Sequence, residues 1–329
     1  MRAKELAELL RVTIPAGLPV LIKGAPGIGK TDIVRQVSTE LGADLIVSHP
    51  VVSDPTDFKG LPAIVDGKAA FLPFGDLERL ITAKKKTVSF LDDLGQAPPV
   101  VQAAAMQLIL GRHVNGQKVS DKVVFIAATN RKEDRAGVTG ILEPVKSRFA
   151  TIVELTPDAE DWCNWALSND VPAEMIAFIK FRPELLMQAK APTSQIINRP
   201  CPRTITYAGE LFKHGLKSPE VLAGAVGEGF AVEFVGYLKV WQTLPTVDEV
   251  LSRPSGARIP TEPAALFAIS VALAIKMTEK TAAKVIKYAC RLPEEFGVLL
   301  IRDSVRKCPG AANTPEFIEW ATEHQEVLN

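Results

Sequence analysis

The chain has 329 residues, 47% of them hydrophobic and 23% charged, with 38 basic residues against 38 acidic ones. That length suggests two domains, or one large domain with an appendage, and that composition supplies a sizeable core and argues against long disorder. A formal net charge of zero gives no overall bias toward nucleic acid or an anionic membrane.

The N-terminus, Met1 to Glu5, leads into an amphipathic helix pattern and not into an apolar leader. The longest apolar run, 264–275, is too short to cross a bilayer and reads as a buried helix. The four cysteines, Cys163, Cys201, Cys290 and Cys308, are far apart, and the four histidines are scattered. A zinc site or disulfide framework is therefore not expected, and the chain reads as a soluble protein of a reducing compartment, the cytoplasm.

In chain order, residues 18–23 (LPVLIK) read as a buried strand. A Gly-rich turn follows over 24–31, then a helix over 30–41 with Ile33, Val34 and Val37 on one face. Further strands are expected at 45–48, 88–91, 123–127 (VVFIA) and 151–155 (TIVEL). Strands alternating with helices imply a parallel sheet covered by helices on both faces. Two segments break the rhythm: 58–73 carries Asp66-Gly67 and 112–122 carries Asn115-Gly116, both hairpin signals. From Pro157 on, strand signals fade. Helical periodicity runs through 158–168, 172–188, 203–214 and 219–244, and a Pro-rich linker at 253–263 precedes a last helical block from Ala264 to the end. The expected division is an α/β core over 1–156, a helical lid over 157–245 and a helical extension over 246–329.

The turn Gly24, Ala25, Pro26, Gly27, Ile28, Gly29, Lys30, Thr31 fits G-x-x-x-x-G-K-[ST] in full, with a strand before it and a helix after it. Small residues let backbone N–H groups converge on phosphates, and the helix N-terminus adds its dipole to the same anion. Lys30 would neutralise the β- and γ-phosphates of ATP, and Thr31 would place a hydroxyl on Mg²⁺. Such a site needs a carboxylate at the tip of a neighbouring strand. Residues 88–92 (VSFLD) supply it: Asp92 would hold the metal and Asp93 would face the attacking water. Alternatively, both aspartates cap the helix beginning near Pro98 or Pro99. The strand at 123–127 runs on to Asn130, whose side chain can orient that water.

With these residues the chain resembles the AAA+ ATPases, and within them the MoxR-like branch. The resemblance rests on GAPGIGKT at 24–31, DPTDFKGLP at 54–62, FLDDLGQAPP at 90–99, RHVNGQKVSDKVVFIAATN at 112–130 and LEPVKSRF at 142–149. It covers residues 15–155 and extends through the lid to 240. It implies an AAA+ P-loop core with a parallel sheet flanked by helices and an all-helical lid. It also implies that Asn130 is sensor 1, that Arg148 is the arginine finger reaching a neighbouring subunit's nucleotide, and that Arg203 is the sensor-2 arginine. Arg131 and Arg135 are rival fingers. The resemblance further implies a hexameric ring that hydrolyses ATP to remodel a substrate protein, working with a separate protein that carries a von Willebrand factor A domain.

The sequence departs from that pattern at the acidic pair, which is Asp92-Asp93 where the branch has Asp-Glu. It departs again at Gly95-Gln96, where the branch has Asn and a basic residue. Two other readings stay open. One is an ATP-gated scaffold with little hydrolysis. The other is a nucleic-acid motor or loader, which the neutral charge does not indicate. Phe58, Phe71 and Phe74 are candidates for gripping a substrate or for packing their own hairpin. The run Lys84-Lys85-Lys86 reads as a solvated helix end.

Overall fold

Five apolar segments of the first half pair as a single parallel sheet, and everything described after Pro157 is helical. The computed structural model describes residues 1–134, 140–188 and 195–324. Met1–Thr156 forms one compact unit, and the described residues from Pro157 onward form a second.

The first unit runs α1 (Ala3–Ala16), β1 (Val20–Lys23), α2 (Lys30–Glu40), β2 (Asp44–Ser48), α3 (Pro55–Lys59), β3 (Leu61–Val65), β4 (Lys68–Leu72), α4 (Gly75–Thr82) and β5 (Thr87–Leu91). It continues through α5 (Pro99–Met106), β6 (His113–Val114), β7 (Gln117–Lys118), β8 (Val123–Thr129), α6 (Glu143–Lys146) and β9 (Thr151–Glu154). A π turn over Gln107–Gly111 extends α5.

The sheet order is β2-β5-β8-β1-β9, with every neighbouring pair parallel. Every residue of β5 and β8 is buried, as continuous apolar central strands of a sheet covered on both faces should be. On one face Leu91 and Phe125 join Leu77, Leu80, Val101 and Leu108 from the covering helices in one apolar cluster. The register sets Lys23 beside Thr129 and Leu91 beside Ala127, so Gly24, Asp92 and Asn130 all emerge at the same sheet edge.

Both hairpins form. Their tips carry the positive φ angles that an Asp-Gly or Asn-Gly turn supplies, at Asp66 (48°) and Gly67 (75°), and at Asn115 (48°) and Gly116 (81°). The first hairpin is shorter than 58–73. Residues 55–59 are instead helical, because Asp54 caps the turn by accepting from Thr56 N, Asp57 answers in a capping box, and Pro55 stands at the first helical position. Phe58 is therefore buried in the core and is not a gripping residue. Phe74 is half-buried at the start of α4, while Phe71 is exposed on the hairpin with Leu61, Ile64 and Leu72. Of the lysine run, Lys85 pairs with Asp44 and Lys86 donates to Pro15 O.

The second unit contains α7 (Ala159–Ser168), α8 (Ala173–Phe181), α9 (Pro202–Lys213), α10 (Pro219–Val226), α11 (Glu228–Trp241) and α12 (Val247–Ser252). It ends with α13 (Pro263–Lys276), α14 (Ala282–Ala289), α15 (Glu294–Lys307) and α16 (Pro315–Glu323). The helix expected over 172–188 stops at Phe181, since Pro183 disfavours helical geometry at Arg182. The one expected over 219–244 breaks at Gly227, whose φ is +85°. Phe178, Phe230, Phe234 and Tyr237 centre one apolar cluster, and Leu273, Val285, Tyr288 and Leu300 centre another. Helix α13 belongs to both, through Ala268 and Val271 on one side and Ile269 and Leu273 on the other. A buried ion pair ties α8 to α15, with Lys180 Nζ 3.0 Å from Asp303 Oδ2. Burial pushes the nearby Cys163 thiol up to about 12, with Lys180 pulling the other way. Among the described residues no helix is long and apolar enough to cross a membrane.

Candidate nucleotide site

Three adjacent strand tips build the site. After β1 the chain turns through the Gly-rich loop into α2. Gly29 caps that helix at φ +90°, a conformation that a side chain would strain. Gly24 is needed for a different reason: a β-carbon there would lie 2.7 Å from Ile28 Cδ1 and 2.9 Å from Leu155 O. Its N–H donates to Thr129 O, which fixes the loop to the end of β8.

Lys30 is the first residue of α2 and is almost fully buried. Its Nζ donates to Gly24 O (2.9 Å), Ala25 O (3.0 Å) and Asn130 Oδ1 (2.7 Å). Thr31 Oγ1 donates to Asp92 Oδ2 at 2.7 Å. The same carboxylate accepts Asp93 N on its other oxygen at 3.0 Å, and Asp92 N donates to Ser48 O on β2.

Asp93 takes a left-handed conformation, φ +56° and ψ 33°, which turns the chain sharply off the strand. Its Oδ1 accepts from Asn130 Nδ2 (3.0 Å) and from Gln96 Nε2 (2.7 Å). Neither aspartate caps α5. The N-cap there is Pro98, with no side-chain bond, so the capping alternative is excluded. The positive φ of the turn lies at Asp93 and not at Gly95. Gly95 is instead pressed against Thr129, leaving no room for a β-carbon.

Sequence reasoning missed two glutamines. Gln96 sits three residues after Asp93 on a 3₁₀ turn (Leu94–Gln96), where residues at that spacing eclipse. The D-x-x-Q spacing was the available signal. Gln102 is buried on α5. It donates to Ala97 O and Gly140 O and accepts from Leu142 N, so it ties the segment entering α6 to the turn after Asp93. Nothing short of the fold brings residues that far apart in sequence together.

The arginines are placed differently from one another. Arg148 lies just after α6 and is half-buried. Its Nη1 donates to Pro144 O, and its buried Nε has no hydrogen-bond partner among the described residues. Arg131 is held by Asp134 through two bonds (2.9 and 2.7 Å) and lies 3.7 Å from Glu154. Burial pushes the Asp134 carboxyl up, but the bonds and charge of Arg131 outweigh it and hold it below the ordinary carboxylate range. Arg135 lies outside the described residues. Arg203 belongs to the second unit, exposed on the first turn of α9.

The donors fit a magnesium nucleotide. A hydroxyl and a carboxylate 2.7 Å apart are hard oxygen ligands, and Mg²⁺ is commonly held by one or two protein oxygens together with substrate phosphates and water. Among the described residues no group of three or more His, Cys, Asp or Glu gathers to hold a metal by itself.

A Gly-rich loop before α2, a carboxylate pair at the tip of β5 and Asn130 at the tip of β8, which lies between β1 and β5, have the arrangement of a P-loop nucleotide site. Residues 19–149 match the family described as the AAA domain of the dynein-related subfamily. The matched segment holds the five-stranded parallel sheet and its flanking helices, an α/β core. Among curated proteins it is similar to the Holliday junction branch migration complex subunit RuvB of Mycoplasma genitalium, 26% identical over 41% of this chain and 40% of that protein. It is also similar to the human ATPase family gene 2 protein homolog B, 29% identical over 40% of this chain and 17% of that protein. The match thus spans well under half of either relative. Among solved structures, a RuvB mutant of Thermotoga maritima aligns with a TM-score of 0.45 at 17% identity, covering 76% of this chain and 74% of that one.

Proposed function

We propose that the chain is an ATP hydrolase that works as a ring and remodels a partner protein. The observation that carries the hydrolytic reading is the bonded series Lys30–Asn130–Asp93 lying beside the Thr31–Asp92 pair. One set of side chains thereby links the phosphate loop, the metal-side carboxylate and a second carboxylate suited to a water. On ATP binding, Lys30 exchanges loop carbonyls for β- and γ-phosphate oxygens, and the loop N–H groups cradle the same phosphates. Thr31 and Asp92 would hold Mg²⁺, which supplies charge neutralisation on the phosphates. Asp93 accepts a proton from the attacking water, and Asn130 fixes the carboxylate that does so.

Arg131 is tied to Asp134 within its own chain, which favours Arg148 as the residue that a neighbouring subunit would present to the γ-phosphate. Arg203 would contact the subunit's own nucleotide. An active site shared between subunits calls for a closed ring, a hexamer by the resemblance. The exposed apolar hairpin β3–β4, with Phe71, would engage the substrate protein, and a separate protein with a von Willebrand factor A domain would deliver it. The proposed domains are the core over 1–156, the lid over 157–245 and the extension over 246–329, in the cytoplasm.

The test is steady-state phosphate release with Mg-ATP; turnover is expected, and none with or without partner would leave a scaffold. A second reading, a nucleic-acid motor, is favoured by one observation, the name of the RuvB relatives. Stimulation of turnover by DNA, with steep salt dependence of binding, would support it.

A further inference from the structure

We infer that Gln96 is a positioning residue for the carboxylate of Asp93, an inference that rests on the hydrolytic reading above. Two amides converge on one oxygen of Asp93: Gln96 Nε2 at 2.7 Å and Asn130 Nδ2 at 3.0 Å, both on Oδ1. Among the described residues no bond reaches Oδ2. The carboxylate is thereby held from one side, with its second oxygen left to accept from a water. A carboxylate only accepts, so the amide of Gln96 must present its nitrogen to Asp93 and its oxygen elsewhere. That oxygen, Oε1, is buried and has no hydrogen-bond partner among the described residues. A buried unpaired acceptor disfavours this rotamer, so the bond to Asp93 is what holds it in place.

The need for such a clamp follows from the backbone. Asp93 sits at φ +56°, a strained conformation for a residue with a side chain, and its carboxylate is one methylene shorter than a glutamate. A short side chain on a sharp turn has little packing to orient it. Asn130 is shared, because its Oδ1 accepts from Lys30 Nζ, the cation that would turn to the phosphates in the proposed mechanism. Gln96 lies on the turn that follows Asp93 and moves with it.

The experiment measures kcat, KM and equilibrium ATP binding for Gln96→Glu, Gln96→Lys and Gln96→Ala in the full chain. Gln96→Glu keeps the shape and removes the donor; Gln96→Lys changes the shape and keeps a donor. A clamp predicts a fall in kcat of about 10- to 100-fold for Glu and Ala, near the cost of misplacing a reacting group by about 1 Å. Gln96→Lys should stay within about 3-fold of wild type, and ATP affinity should change little in all three. In an Asp93→Asn background, followed by single-turnover hydrolysis of labelled ATP, Gln96→Ala should cost nothing further. A packing role would give the reverse order, with Glu tolerated and Lys not, and would overturn the inference. Wild-type kcat in Gln96→Ala would overturn it while leaving the hydrolytic reading intact. Absence of turnover in the wild type itself would remove both.

Discussion

Replacing Gly95 by alanine should damage the site without touching any group that meets the nucleotide. A β-carbon on Gly95 would lie 2.1 Å from Thr129 Oγ1, 3.2 Å from Thr129 Cβ and 3.4 Å from Ile141 Cγ1. Such contacts essentially never fall below 3.0 Å, so something must move by about 0.9 Å. Thr129 yields poorly. It is buried at the end of β8, branched and stiff at χ1, and its Oγ1 donates to Asn130 O at 3.1 Å. The turn over Leu94–Gln96 therefore takes up part of the shift, and it carries Gln96 and follows Asp93 directly. A displacement near 1 Å at a reacting group can cost about 100-fold in rate, and overpacking costs about 1–3 kcal/mol in stability. The assay is kcat and KM for ATP, with ATP affinity and melting temperature measured in parallel. Gly95→Ala should lower kcat by about 10- to 100-fold with ATP affinity retained. Adding Thr129→Ala, which removes the atom at 2.1 Å, should recover most of that loss. Wild-type kcat in Gly95→Ala, or no recovery in the double variant, would refute the argument that this contact sets the carboxylate's position.

Lys30→Ala should abolish measurable ATP binding, because the loop then loses its one buried cation; equilibrium binding of a fluorescent ATP analogue checks this. Arg148→Ala should lower turnover by about 10³-fold or more at unchanged ATP affinity, whereas Arg131→Ala, whose charge is already matched by Asp134, should lower it far less. Mixing Arg148→Ala with Asp93→Asn protein should restore part of the turnover if the arginine acts across subunits. Lys180→Met leaves Asp303 buried without its 3.0 Å partner, a change of about 3–5 kcal/mol that a thermal melt of the helical unit should register as a clear drop.

The parts of the fold legible in the sequence were those written in local runs. VVFIA and its neighbours announce central strands because both faces are buried, and Asp66-Gly67 and Asn115-Gly116 announce hairpins because few other pairs tolerate two positive φ angles. The site was legible as far as a motif extends: Lys30, Thr31, Asp92, Asp93 and Asn130 come together as strand order and register require. Phe58 falls outside the hairpin that Asp66-Gly67 announces, because Asp54-Pro55 starts a helix there, a capping signal as local as the turn itself. The helix breaks at Arg182 and Gly227 were equally local and were outweighed by periodicity across them. Gln96 was legible only as a D-x-x-Q spacing, three residues after Asp93. Gln102 was not legible at all, since its role depends on the segment at Gly140 and Leu142 that lies opposite it in the fold.

The most direct test of the account is Mg-ATP turnover by the wild-type chain and by Asp93→Asn, with ATP binding measured on both. Magnesium-dependent phosphate release by the wild type, loss of that release in Asp93→Asn, and equal ATP affinity for the two proteins are expected. Turnover in Asp93→Asn at the wild-type rate, or none in the wild type, would contradict it.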